Sequence, residues 1–347
     1  MERIRDRLLS SRWACAAFAN IGFPVFRNRS GANPLVVYYH LVNNNEVAHV
    51  SNLYSFRSVS EFKRDLDVLL RFFYPISLQE LLLNLDGQQE LRKNSFLLTF
   101  DDGLAECYEV IAPILNEKGI PATFFLCSAF VDNRQLSDDG KKSVLVGLIK
   151  AGKLSLTDKA KVQALLLEAG IVESDLVVAL LSVPFRNRVV LDRVAEALNY
   201  EFSTYLQAAQ PYITSAQGIE LLKMGHSLGA HSVDHPRYQD LSLAEQIFQT
   251  RESVRFVKTR FGLSYGAFAF PYSDANISKR FFVEAFRKSV GVDVCFGNDG
   301  LRADSVARNV QRTGMEKTWM PAEAILGRSF GRRFVKCIMG QGEIKRP

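Results

Sequence analysis

Two short stretches concentrate the side chains that can do chemistry, Asp101-Asp102-Gly103 and His231-Ser232-Val233-Asp234-His235. Adjacent carboxylates repel each other, and a turn before a glycine needs only one of them. A nearby cation removes that cost, with one carboxylate ligating it and the other left as a base. His231 and His235 are four residues apart, so if the segment makes one helical turn both rings face the same side. Two imidazoles and a carboxylate with a position left for water form a recognised catalytic zinc arrangement, with metal–nitrogen bonds of roughly 2.0–2.1 Å. A histidine pair alone at this spacing is more often structural. Beside the aspartate pair it points to a metal.

The elements that must position these residues are short. Leu35–Tyr39, Phe96–Phe100, Ala122–Leu126, Ser227–Ala230 and Ala267–Phe270 are apolar runs suited to buried strands. Helical patterns lie between them. Ser60 can cap a helix carrying Phe62, Leu66, Leu69, Leu70 and Phe73. A second helix runs around Tyr108–Lys118 and is closed by Gly119, and a third extends from Leu243 to about Arg260. This alternation predicts a parallel α/β architecture. His40, Asp101-Asp102, His231 to His235 and Pro271-Tyr272 each fall at or just after the C-terminal end of a predicted strand. In parallel α/β barrels that rim is where active sites are assembled. Strand signals vanish from about Val131 to Tyr212, which predicts an insertion of short helices in one barrel connection. Its loops either reach the rim or form a dimer surface.

The 347 residues suit one barrel-sized catalytic domain, and a hydrophobic fraction of 47% supports a substantial core and excludes global disorder. The net charge of +6 is spread along the chain. That excludes a nucleic-acid-binding arm and leaves room for an anionic surface or substrate. Five widely spaced cysteines, an odd number with no Cys-x-x-Cys, argue against a disulfide framework and a cysteine zinc knuckle. A reducing compartment fits, so the expected location is cytoplasmic, with peripheral contact at the inner face of the membrane allowed by a basic N-terminal surface helix. The apolar run from Trp13 to Phe26 is too short to span a bilayer.

Thr99–Gly103 (TFDDG) and His231–His235 (HSVDH) resemble the first two motifs of the polysaccharide deacetylase family, the NodB homology domain of carbohydrate esterase family four. The resemblance covers roughly Pro34–Phe130 and Tyr212–Glu316. It implies a distorted (β/α) barrel with a helical insertion, and metal-dependent hydrolysis of N-acetyl groups on a polysaccharide, oligosaccharide or glycolipid. It makes Asp101 the general base, and Asp102, His231 and His235 the ligands of a divalent metal. Zinc is the first choice for that metal, and cobalt, nickel or manganese are alternatives. By the same likeness His226 is structural.

The third motif departs from the family's Arg-x-Pro-Tyr-Gly, because this chain has Ala269-Phe270-Pro271-Tyr272-Ser273. Tyr272 can still line the groove and offer its backbone N–H to an oxyanion. The arginine that would pair with the base is absent; Arg308 and Arg312 are candidates to replace it, and Arg312 is preferred. The family's late Leu-x-His is also missing. Val37–His40 resembles the Tyr-His near the N-terminus of permuted biofilm-polysaccharide deacetylases, where that histidine is the general acid, and His40 takes the role here. His49, in a polar stretch, reads as solvated. The expected organisation is a helical segment at 1–33, a barrel from 34–130 and 213–320, a helical insertion at 131–212 and a basic tail at 321–347. The competing reading is a catalytically degenerate barrel that binds glycan in an assembly or export complex. The absent arginine favours it, and the retained aspartate pair opposes it.

Overall fold

The computed structural model describes residues 33–347 apart from Lys153 and Thr318. The segment expected to be helical at the N-terminus therefore lies, but for Asn33, outside the described residues. Among the described residues nine short strands form a parallel sheet, eight of them in one continuous order: β1 (Leu35–Tyr39), β2 (Ser95–Phe100), β3 (Ala122–Leu126), β4 (Ser227–Ala230), β5 (Ala267–Ala269), β6 (Val294–Gly297), β7 (Asn309–Gln311) and β8 (Thr313–Gly314), with Tyr74–Pro75 pairing beside β2. The pairing order is β8-β1-β2-β3-β4-β5-β6-β7. Only Arg312 separates β7 from β8. The stretch 309–314 thus pairs with β6 through its first half and with β1 through its second, which closes a distorted barrel at Arg312.

Side chains alternate across each strand. Val36, Leu97, Phe125, Ala267, Ala269, Val294 and Phe296 gather in one buried cluster, the barrel interior. Val37, Leu98, Phe100, Phe124 and Phe268 belong to another, between strands and helices. The interior is tight. A Cβ added at Gly229 would lie 2.4 Å from the Phe125 ring, so a small residue is required there.

The helices around the barrel are α1 (Val59–Phe72), α2 (Leu78–Leu85), α3 (Ala112–Lys118), α4 (Asp138–Lys150), α5 (Leu156–Glu168), α6 (Leu176–Ser182), α7 (Val189–Ala197), α8 (Phe202–Ala209), α9 (Ser215–Lys223), α10 (Leu243–Phe261), α11 (Lys279–Ala285) and α12 (Ala322–Ile338). The cap of α1 is Ser58, not Ser60. Ser58 forms a capping box with Glu61, so the helix starts where serine and glutamate satisfy each other's backbone N–H groups. The buried stripe of α1, Phe62, Leu66 and Leu69, faces the sheet, and each fully buried Leu or Phe contributes about 1.5–3 kcal/mol.

The 321–347 stretch is a structural part of the domain rather than a tail. Helix α12 buries Ile325, Leu326 and Phe330, and Phe330 stacks on Phe73 with ring centroids 6.2 Å apart. Beyond it, Arg346 is buried in ion pairs with Asp274 and Asp304. An amphipathic helix with an apolar stripe has more to gain by docking than by staying in water.

Among the described residues, 131–214 hold helices and 3-10 turns without a strand of the sheet. Helices α4 to α7 share a small core of their own around Leu145, Val162, Leu166, Leu180, Leu191 and Val194. No described helix is long and apolar enough to cross a membrane.

Candidate active site

Asp101 follows Leu97 and Thr99 at a spacing of two along β2, so all three point inward at the mouth of the barrel. The Asp101 carboxylate is buried, and Arg312 grips it with two parallel bonds, Nη1 to Oδ1 at 2.7 Å and Nη2 to Oδ2 at 2.8 Å. Arg312 also donates to Thr99 Oγ1 and to the Gly297 carbonyl, and its guanidinium lies over the rings of Tyr38 and Phe125 at 4.8 and 5.5 Å. Burial pushes the Asp101 carboxyl up, but Arg312 and then His231 pull it down to about 2. The arginine missing at Ala269 thus has a stand-in that enters from the strand closing the barrel. Arg308 is elsewhere: it pairs with Asp86 on the surface.

The next residue turns away. Asp102 has φ 71° and Gly103 φ 67°, two left-handed steps that aim the second carboxylate across the mouth. Asp102 Oδ1 lies 3.5 Å from His231 Nε2 and 3.3 Å from His235 Nε2. This oxygen is buried with no hydrogen-bond partner, as expected of an atom whose partner is a cation. The three ligand atoms lie within 4.8 Å of one another. Burial lowers His231 to about 4, so its ring is neutral. Its Nδ1 is 2.9 Å from the Ala269 carbonyl, a contact that requires the proton on Nδ1 and leaves the Nε2 lone pair facing the site. By donor chemistry and by the orphaned oxygen, this group fits a divalent metal.

The two histidines do not share a helical turn. The 231–235 segment is an irregular loop with left-handed backbone at Ser232 (φ 69°) and His235 (φ 61°), and it is these two reversals that bring the rings to centroids 5.1 Å apart. Tyr272 is left-handed as well, at φ 54°. Non-glycine residues at such angles cost about 1–3 kcal/mol each and gather at functional sites. The Tyr272 ring lies 4.6 Å from that of His235 and 4.2 Å from the Arg237 guanidinium. Its hydroxyl donates to Asp139, its carbonyl accepts from Asn298, and its own N–H has no partner among the described residues.

Strand register sets His40 at the opposite lip. Tyr39 pairs with Phe100, and Tyr38 pairs with Gly314. One and two residues further on, His40 therefore stands between Asp101 on one side and Glu316 on the other. Glu316 Oε2 is 2.6 Å from His40 Nδ1, and Oε1 accepts the backbone N–H groups of His40 and Leu41 at 2.7 and 2.9 Å. Burial would lower the His40 pKa, but Glu316, with smaller help from Asp102 and Asp101, raises it to about 10. The ring is an imidazolium at neutral pH.

Sequence reasoning missed Glu316 and Asp139. For Glu316 the signal was its place just after Thr313-Gly314, a strand end too short to stand out. Asp139 comes from α4 and carried none. Its Oδ2 lies 3.8 Å from His235 Nδ1, and Lys142 Nζ is 3.0 Å from Oδ1. His49 is also not where a polar stretch suggested. It is buried, its Nδ1 is 2.9 Å from the Tyr205 hydroxyl, and burial lowers it to about 4. The insertion supplies Tyr205 and so covers it. His226 lies under the barrel strands, where its Nδ1 accepts the Ala122 N–H and its ring meets Phe124 edge-on.

A cleft of about 650 Å³ joins these groups. His40, Asp101, Asp102, His231, His235 and Tyr272 line it from the rim, and Ser137, Asp139, Leu181 and Tyr212 line it from the 131–212 side.

Comparison with known proteins agrees with this geometry. The polysaccharide deacetylase family model matches residues 88–160 and 197–287. Among solved structures, the Streptococcus pyogenes deacetylase PplD in complex with acetate superposes with a TM-score of 0.54 at 14% identity, over 85% of this chain and 97% of that one. IcaB from Ammonifex degensii gives 0.52 at 18% identity, over 86% and 98%. These likenesses show the fold. No curated protein matches the sequence. The fold and site define an amide-bond hydrolase built on a distorted (β/α) barrel. The stretches 88–160 and 197–287 are similar to the polysaccharide deacetylase family.

Proposed function

We propose that this chain removes N-acetyl groups from an N-acetylated polysaccharide, oligosaccharide or glycolipid, with a divalent metal, zinc foremost, held by Asp102, His231 and His235. The observation that carries the reading is the buried Asp101–Arg312 pair beside the Asp102–His231–His235 group. A barrel that only bound glycan would have no use for an oriented, ionised carboxylate there.

When bound, the metal supplies Lewis acidity toward the acetyl carbonyl and toward a water molecule. Asp101, kept ionised by Arg312, takes the proton from the attacking water. The Tyr272 N–H, which has no partner among the described residues, donates to the oxyanion as the carbonyl carbon becomes tetrahedral. An amine leaves poorly unless protonated. His40, held as an imidazolium by Glu316, gives the departing nitrogen its proton and is reprotonated from solvent. Acetate leaves and the glycan keeps a free amine.

The deciding experiment is acetate release from N-acetylglucosamine, N-acetylgalactosamine and N-acetylmannosamine oligomers with zinc, cobalt, nickel or manganese added. Release by the wild type and not by Asp101→Asn, with equal metal content in both, is the expected result. Metal binding without acetate release from any oligomer would sink the reading.

A further inference from the structure

The reaction as proposed needs the Tyr272 N–H aimed at the oxyanion, yet Tyr272 has a left-handed backbone, φ 54°, just past the three-residue strand β5. Left-handed non-glycine residues persist only where their surroundings over-determine them. The Tyr272 side chain is held by His235 and Asp139, and its backbone is held separately. Asn298, the residue after β6, donates its Nδ2–H to the Tyr272 carbonyl. The Asn298 backbone N–H in turn donates to Asp274 Oδ1 at 3.3 Å. Asp274, two residues after Tyr272, is 1% exposed. Its Oδ2 accepts from Asn309 Nδ2 at 2.9 Å and from Gln311 Nε2 at 2.6 Å, both on β7. The fit is close. A Cβ added at Gly297 would lie 2.2 Å from that oxygen, and the Gly297 carbonyl is the one that accepts from Arg312 Nε.

A buried carboxylate surrounded by neutral donors alone is poorly compensated. Here the cation is Arg346. Its Nη2 donates to Asp274 Oδ2 and its Nη1 to the Asp274 carbonyl, while Nε reaches the two oxygens of Asp304 at 3.2 and 3.1 Å. The Arg346 side chain is 2% exposed and is the one cation paired with Asp274 among the described residues. Burial pushes the Asp274 carboxyl up, and Arg346, followed by Gln311 and Asn309, holds it below the ordinary carboxylate value. The segment that carries Arg346 is itself pinned. Glu343–Ile344 pairs in parallel with Ala303–Asp304, and the Pro347 carbonyl accepts the Lys279 N–H at 2.7 Å. Without the guanidinium, Asp274 and Asp304, which share the Asn309 and Gln311 amides, would be left close together with no cation. Two such carboxylates repel or take up a proton, and either change frees the 271–274 loop to relax. We infer that Arg346 is a positioning residue for the reaction: through Asp274 and Asn298 it fixes the Tyr272 backbone and so aims the oxyanion donor. The inference rests on the deacetylase reading and adds to it a residue 72 positions from the Asp274 that it grips. A staple that only fastened the 343–347 segment would cost stability and nothing else.

The test uses the full metal-loaded chain as wild type, Arg346→Gln, His40→Ala and Phe330→Ala. The last is a destabilising control, because Phe330 packs on Phe73 and neither lines the cleft. Rates are measured well below melting on an N-acetylglucosamine oligomer and on 4-nitrophenyl acetate, an activated ester whose leaving group needs no proton. Arg346→Gln should lower kcat about 10- to 100-fold on both substrates, the scale of a misplaced group and short of losing an oxyanion donor outright. KM and metal content should not change. His40→Ala, by contrast, should slow the amide far more than the ester. An unchanged kcat in Arg346→Gln overturns the proposal, and so does a loss confined to the amide or an equal loss in Phe330→Ala. If Arg346→Gln does not fold, Asn298→Ala decides, since it cuts the link to the Tyr272 carbonyl and leaves the ion pair in place. A kcat loss on both substrates then sustains the positioning, and an unchanged kcat refutes it. If wild type releases no acetate from the oligomer, the deacetylase reading fails by itself. The positioning is then judged from the Tyr272 amide signal in protein carrying nitrogen-15-labelled tyrosine, identified by its loss in Tyr272→Phe. A signal that shifts in Arg346→Gln and stays in place in Phe330→Ala sustains it. One that stays in place in Arg346→Gln, or shifts equally in both, refutes it.

Discussion

On the barrel rim, Asp101, His40 and His231 stand where ladder hydrogen bonds put them, each one residue past a paired strand position. Across the cleft, Asp139, Leu181 and Tyr212 reach the same space from a region whose helices α4 to α7 have a separate core. The first region is held by register, which has no intermediate settings. The second is tied to the rim by individual contacts, such as Asn52 with Ser143 and Asp132 with Ser215. The difference teaches where each kind of error would show. A change on the rim should strike the chemical step, and a change in the insertion should strike substrate fit. Asp139 is the interesting exception, since a helix of the insertion supplies a carboxylate to a rim histidine and a rim tyrosine.

The largest expected effect tests the rim. Asp101→Asn should lower kcat by about 10²–10⁴-fold while elemental analysis finds the metal still present. His231→Ala or His235→Ala should lose the metal itself. Full metal content in both histidine variants would show that these side chains are not the ligands.

Next comes the buried pair. Arg312→Ala leaves an uncompensated charge at Asp101 and should cost about 3–5 kcal/mol of stability, measured by denaturant unfolding. The double variant with Asp101→Asn should recover part of that loss. Destabilisation no greater than for an exposed arginine would mean that the pair does not hold the barrel mouth.

The third prediction concerns pH. The His40 pKa is raised, so the stability contributed by its contact with Glu316 is complete below the ordinary histidine value near 6.5. That contribution should fade as pH rises through about 10. Glu316→Gln should bring the alkaline fall in kcat to lower pH, toward that ordinary value. An alkaline limb unmoved by the substitution would exclude His40 as the proton donor.

Smaller effects should separate the two regions of the cleft. Asp139→Asn removes the carboxylate beside His235 and is expected to cost roughly 10–100-fold in metal affinity or activity, as partners of metal ligands commonly do. Leu181→Ser, on the insertion side of the cleft, should alter KM several-fold and leave kcat in place. A kcat effect as large as that of Asp139→Asn would erase the distinction between rim and insertion.

Local patterns carried a good part of this in the sequence. Apolar runs of four to six residues marked β2, β3 and β4, and the Asp-Asp-Gly and His-x-x-x-His stretches followed them directly, so the rim chemistry could be read before any fold was known. The extent of α10 and the Gly119 stop of α3 were equally legible, because caps and apolar spacing are local. Other features were decided only by tertiary structure. Arg312 reaches Asp101 across 211 residues of chain, and Glu316 reaches His40 across 276. Both contacts depend on which strands become neighbours when the barrel closes, and strands as short as Thr313–Gly314 carry almost no signal of their own. The His231–His235 pair converges through two left-handed residues rather than a helical turn, and His49 is buried because Tyr205 of a distant helix covers it. Such conformations are imposed by packing around the loop, and local propensity opposes rather than announces them.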